Sequence, residues 1–310
     1  MPARGNSGAR ATAAVDRCGA VTTATLDTGA GIVVIVNEEN PLDPETQRHL
    51  EEAWDALDQG DLRAAQRALK HAHDEAPEDP AVLEVEAEYA VAADRPDEAL
   101  DAYRRWSEAD PDDAGPWLGS AEGYLDHGEP GECARLLREL LTDFDLDPLD
   151  EADARHLLGI ACEEKGDRKG MITEWLAVLR LDVANDPPER LMDPARFSEV
   201  AEDALEELPP EVLAHLRNVP IFVEDRPSEA LVLEGLDPRT LGLFHGIAMP
   251  DRSSLGGGPE TGLIHLFQRN LEREADDEAS LAEQVRVTVL HETAHYFGAD
   301  EDDLLRFGLN

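Results

Sequence analysis

Cysteine is nearly absent from this sequence: Cys18, Cys133 and Cys162 stand far apart, and none belongs to a C-x-x-C pair. That excludes a disulfide framework and a cysteine zinc site, and it fits a reducing cytoplasm, where we expect the protein to reside. Long apolar runs are missing as well. The longest early one, Ile32 to Val36, is too short for a signal-peptide core, and no later stretch approaches the roughly 20 residues of a membrane span. Positive charge is scarce: 27 Lys and Arg stand against 69 Asp and Glu, for a formal net charge of −42. Such a chain repels phosphate backbones and anionic headgroups, so neither nucleic acid nor a membrane surface is expected as a partner. Aromatics make up only 5% of the chain, yet apolar residues reach 42%, enough for folded cores.

Residues 1–40 differ in composition from the rest. Gly, Ala, Thr and Ser dominate, Arg4, Arg10 and Arg17 outnumber the acids, and no helical period is visible, so the segment reads as a flexible leader or an upstream extension.

From 41 to 190 the chain repeats itself. Small residues Ala65, Ala99 and Cys133 recur at a period of 34, each followed four positions later by a large apolar residue, Leu69, Tyr103 and Leu137. The turn pairs Gly60-Asp61, Asp94-Arg95 and Gly128-Glu129 keep that spacing, and a fourth unit with Gly159, Cys162, Gly166-Asp167 and Trp175 follows a short insertion. One helical hairpin cannot bury its own apolar face, whereas four stacked units can build a continuous core. The pattern resembles the tetratricopeptide repeat, which implies a helical solenoid with a concave face for a protein partner. A spacer or oligomerisation arm is the plainer alternative. Trp54, Tyr89, Trp106, Trp117 and Tyr124 read as packing plugs.

The period stops near Asp186-Pro187-Pro188, which sets a boundary at about 190 and assigns 191–310 to a second domain. One amphipathic helix is expected over 194–208, closed by Pro209-Pro210. Strand-type runs follow at 219–223, 241–244 and 262–267. The Gly-rich Ser253 to Gly258 lacks a following Gly-Lys-Ser/Thr and is no phosphate loop.

The chemistry concentrates near the C-terminus. Ser280 and Glu283 have the spacing of a capping box, and Gly298 is placed to end the helix that follows. Within that helix lies His291-Glu292-Thr293-Ala294-His295. One turn apart, the two imidazoles share a face and can hold one ion, while Glu292 stands about 100° away, beside the metal, where a general base is needed. With Gly298 and an acid further on, such a pattern arises by chance ~0.001 times in a chain of this composition. Zinc wants at least one more protein ligand. A turn at Gly298 offers Glu301, with Asp300 and Asp302 as neighbours able to substitute and His265 and His245 as weaker alternatives. A calcium site at Asp300–Asp303 lacks the spacing and glycine of a calcium loop.

The segment 285–305, VRVTVLHETAHYFGADEDDLL, resembles the small bacterial zincin-like metallopeptidases with an HExxHxxGxx-acid motif. The stretches Ala204 to Pro209, Val223-Glu224-Asp225-Arg226-Pro227 and Leu241 to Gly246 extend the likeness over roughly 195–310. The resemblance implies one zinc ion per chain held by His291, His295 and Glu301, with Glu292 as catalytic base. The expected fold is thus a helical repeat solenoid followed by a small zincin-like α+β domain, and the expected function is zinc-dependent hydrolysis of a peptide or protein substrate held by the repeats. The competing expectation is a non-catalytic scaffold with a zinc-binding structural or peptide-binding C-terminal domain. A substrate strand is expected to join the small sheet at 262–267.

Overall fold

The computed structural model describes residues 42–206, 208, 219–245 and 263–297, together with the backbone of three strands before them. The Gly-rich 253–258, Gly298 and the carboxylates Asp300 to Asp303 lie outside the described residues, as does most of 1–40. Within the expected leader, β1 (Ala11–Val15), β2 (Val21–Asp27) and β3 (Ile32–Ile35) form an antiparallel sheet in the order β1-β2-β3. Sequence periodicity did not reveal them; their density of Val, Thr and Ile is what favours a pleated backbone.

Eight helices then follow: α1 (Pro44–Asp58), α2 (Leu62–Glu75), α3 (Pro80–Ala92), α4 (Pro96–Ala109), α5 (Gly115–Asp126), α6 (Pro130–Asp143), α7 (Pro148–Glu164) and α8 (Arg168–Asn185), of which α1 with α2, α5 with α6 and α7 with α8 pack as hairpins. Local chemistry starts three of them in the same way. Asp43, Asp79 and Asp147 each precede a proline at the first helical position and accept backbone N–H groups of the opening turn. The hairpin turns recur as well. Gly60, Gly128 and Gly166 have φ of 68°, 68° and 71°, and Asp94 holds the equivalent position at φ 56°. It is the sole non-glycine with positive φ among the described residues.

The chain forms two compact units, Met1–Arg95 and Pro96–Asn310. In the first, Leu50, Ala53, Leu69, Ala72, Val82 and Val85 make a buried cluster. In the second, Leu137, Leu140, Leu158, Met171 and Trp175 do the same. Small residues here admit large ones: a Cβ added at Gly159 would lie 2.2 Å from the Trp175 indole. Trp106 is a buried plug, as its spacing implies, and Trp175 is buried as well.

Beyond the repeats come α9 (Pro194–Glu206), β4 (Ile221–Glu224), α10 (Glu229–Glu234), β5 (Gly242–His245), β6 (Leu263–Phe267), α11 (Gln268–Arg273) and α12 (Glu278–Tyr296). The sheet order is β4-β6-β5, with β4 parallel and β5 antiparallel to β6. Phe197, Val200, Ile264, Leu266, Leu281, Val285 and Val289 form the core between α9, sheet and α12. Full burial of each such side chain contributes roughly 1.5–3 kcal/mol.

Two expectations need correction. The strand at 262–267 offers no edge to a substrate, because β6 is the central strand and its described residues are paired on one or both sides. The capping box at the last helix is formed by Asp277 and Ser280, one turn before the expected pair. Asp277 is the better acceptor: its carboxylate is held below the usual range by the Ser280 backbone N–H and then the Ser280 hydroxyl.

The end of the repeat period at about 190 is not a break in packing. Val232 of α10 is buried in the same cluster as Leu158, Met171 and Trp175 of the last hairpin. Arg168 on α8 donates to the carbonyls of Leu233 and Glu234 at 3.2 and 2.7 Å.

Candidate metal centre on the last helix

The buried positions of α12 are Leu281, Val285, Thr288, Val289, Glu292, Thr293 and Tyr296, a stripe at three- and four-residue steps. Glu292 therefore occupies a core-facing position where the periodicity calls for an apolar residue. A carboxylate placed there is costly unless it is hydrogen-bonded. The sheet supplies the partner: the Phe244 backbone N–H on β5 donates to Glu292 Oε2 at 2.5 Å.

The ladder explains why that N–H is available. Phe267 N–H donates to Leu241 O, and Phe244 is opposite Ile264. By antiparallel alternation, Leu243 and His245 turn their backbone groups toward β6, and Gly242 and Phe244 turn theirs outward. Close approach of strand and helix depends on Gly242. A Cβ there would lie 2.7 Å from Thr288 Cγ2 and 3.0 Å from both Cγ and Oε1 of Glu292. Phe244 also packs edge-on against Tyr296, with ring centroids 5.6 Å apart.

His291 and His295 flank the buried stripe, each half-buried. Their Nε2 atoms stand 3.0 Å apart and their rings are inclined at 71°. Two imidazole nitrogens on one tetrahedral zinc ion are separated by ~3.3 Å, so the pair converges as a shared ion requires. Nitrogen donors of this kind, with a carboxylate one residue away, suit zinc.

Of the other sequence candidates, His265 is engaged elsewhere. Its Nδ1 lies 2.8 Å from Glu224 Oε2, and its ring stacks on Phe267 at 6.0 Å. His245 is exposed at the end of β5. Among the described residues no third His, Cys, Asp or Glu joins His291 and His295 in a metal-binding group. Glu301, with Asp300 and Asp302, lies outside the described residues.

Sequence reasoning missed Gly242 and the Phe244 N–H. A backbone donor leaves no mark in side-chain pattern, and the glycine sits in the Leu241 to Gly246 stretch, whose family likeness assigns it no physical role.

Comparison with known proteins bears on both halves of the chain. A family model described as zincin-like metallopeptidase matches residues 216–309, and one described as tetratricopeptide repeat matches 56–117. The chain thus carries a tetratricopeptide repeat region and a zincin-like metallopeptidase domain. No curated protein matches the sequence. Among solved structures, MamA residues 41-end from Desulfovibrio magneticus RS-1 is 15% identical with a TM-score of 0.40, over 46% of this chain and 78% of that one. PilW, a type IV pilus biogenesis factor, is 12% identical with a TM-score of 0.44, over 86% of this chain and 99% of that one. Likenesses this remote do not bear on activity or partners.

Proposed function

We propose that this protein, which joins tetratricopeptide repeats to a zincin-like domain, is a zinc-dependent peptidase whose repeats hold a protein partner or the substrate. The observation that carries the reading is the convergence of His291 Nε2 and His295 Nε2 at 3.0 Å, one residue from the buried carboxylate of Glu292. His291 and His295 are assigned as zinc ligands and Glu301 as the third. When bound, zinc polarises a peptide carbonyl and lowers the pKa of a water toward about 7.

The residues of the chain do the rest. Glu292 takes the proton of the attacking water and delivers it to the leaving amine. The Phe244 N–H keeps its carboxylate in one orientation, and the core around α12 keeps the base away from bulk water. The repeats contribute binding: a cavity of about 380 Å³ opens in the second unit, lined by Leu100, Arg104, Trp117, Tyr124 and Leu136 among others. Its aromatic and apolar walls, with the Arg104 guanidinium paired to Asp101 and Glu108, suit an apolar anchoring side chain of a bound protein.

The test is hydrolysis of a denatured protein by the zinc-loaded full chain, beside Glu292→Gln. The variant should keep its zinc and lose turnover by at least about a hundredfold, the scale of general base catalysis. Undiminished turnover in Glu292→Gln overturns the mechanism. Inactivity of the wild type together with partner capture by its repeats would establish the scaffold in its place.

A further inference from the structure

We propose that the last repeat hairpin positions the base Glu292, acting through Arg239, and that the strand entering the candidate site is set from α7 and α8. This rests on the reading of Glu292 as base. Cations are few in this chain, 27 against 69 acids, yet three guanidiniums gather round one buried carboxylate on α8. Asp182 accepts from Arg239 Nε and Nη2, both at 3.1 Å, and lies 3.8 Å from Arg226 and 3.5 Å from Arg273. Asp153 on α7 pairs with Arg239 at 2.8 Å and with Arg273, and Asp186 pairs with Arg226. Three acids from the last hairpin region thus meet three arginines from the zincin-like domain, and the charges balance. Buried pairs of this kind fix geometry more than they add stability.

What they fix is the segment 237–241. Asp237 receives His156 of α7, whose Nε2 lies 2.8 Å from Asp237 Oδ2, and accepts the Arg239 backbone N–H at 2.7 Å. On the opposite side Asn270, itself held by Arg226, donates to the carbonyls of Pro238 and Thr240 at 2.9 and 2.7 Å. The next residues are β5: Gly242, against which Glu292 packs, and Phe244, whose N–H holds the Glu292 carboxylate. An unbroken chain of contacts therefore runs from Asp182 and Asp153 through Arg239 to the strand and the base. Arg239 is a positioning residue, since it touches no reacting atom. A partner that shifts the last hairpin would shift β5 with it.

The experiment uses the full chain in three forms, Arg239→Met, His156→Gln and Arg168→Ala, each checked for folding by thermal unfolding. Arg168→Ala is the control, because it removes a tie between α8 and α10 without touching 237–241. With phenylalanine selectively labelled with nitrogen-15, the Phe244 amide is read by hydrogen exchange. Its protection should fall about tenfold in Arg239→Met and less in His156→Gln, with Arg168→Ala unchanged. In the zinc-loaded chain, kcat should fall in the same order with KM unchanged. A folded Arg239→Met with wild-type protection at Phe244 overturns the proposal; if that variant does not fold, unchanged protection in His156→Gln does so. Equal loss in Arg168→Ala would also overturn it, by showing a general effect of the interface. Wild-type inactivity would sink the peptidase reading alone, since the amide measurement does not depend on turnover.

Discussion

Glu292 accepts the backbone N–H of Phe244, so the carboxylate at the centre of the HExxH motif is tied to the outward edge of a β-strand. That bond joins the two structural levels of the site, since the helix supplies the acid and the sheet supplies its orientation. It also leaves a definite steric signature at Gly242.

Gly242→Ala places a methyl 2.7 Å from Thr288 Cγ2 and 3.0 Å from Glu292. Overpacking of this order costs about 1–3 kcal/mol. We expect a lowered melting temperature and a loss of hydrolysis. Adding Thr288→Ser removes the closest contact, so the double variant should recover part of both. Equal melting temperatures for wild type and Gly242→Ala would refute the packing described here.

Asp94 holds the turn position that Gly60, Gly128 and Gly166 hold elsewhere in the repeats, and its φ is 56°. Left-handed backbone is unfavourable for a residue with a Cβ, though least so for Asn and Asp. Asp94→Gly is expected to stabilise by about 0.5–1 kcal/mol, read as a higher urea midpoint with an unchanged slope. Asp94→Val should move the midpoint the other way.

Trp175 is buried against Gly159, Leu158 and Met171. Trp175→Ala should cost about 3–5 kcal/mol, the range for deleting a large aromatic from a core. Because the same cluster includes Val232 from beyond the repeats, the loss should appear by circular dichroism as earlier melting of α10 and its surroundings along with the last hairpin.

Asp150 gives a pH dependence. Burial first, and then Asp147, Asp153 and Asp113, push its carboxyl up to about 6. The unfolded value is about 3.9, so the folded chain binds this proton more tightly. The group therefore costs stability above pH 6, progressively less as pH falls, and nothing below about 4. Asp150→Asn should raise the melting temperature at pH 7.5 and leave it unchanged at pH 3.5. A gain of equal size at both values would assign the effect to something other than titration.

Much of the fold is legible in the sequence because its causes are local. Asp-Pro at 43–44, 79–80 and 147–148 announces helix starts, and the turns at Gly60, Asp94, Gly128 and Gly166 keep the repeat register. The pair His291 and His295 is equally local, being one helical turn apart. The network around Asp182 was not visible, since Asp153, Arg226, Arg239 and Arg273 are joined only by folding. Strand order was hidden for the same reason: nothing in the run Leu263 to Phe267 says that it lies between two others. The early strands carry no helical period, and their short runs of Val, Thr and Ile lie in a segment whose composition is otherwise that of a leader.

Zinc content of the dialysed full chain tests the proposed zinc centre at His291 and His295. One zinc per chain is expected in the wild type and in Glu292→Gln, weaker retention in Glu301→Ala, and none in His291→Ala or His295→Ala. A wild-type chain that binds no zinc, or a His291→Ala chain that keeps it, would rule out a zinc centre at this histidine pair.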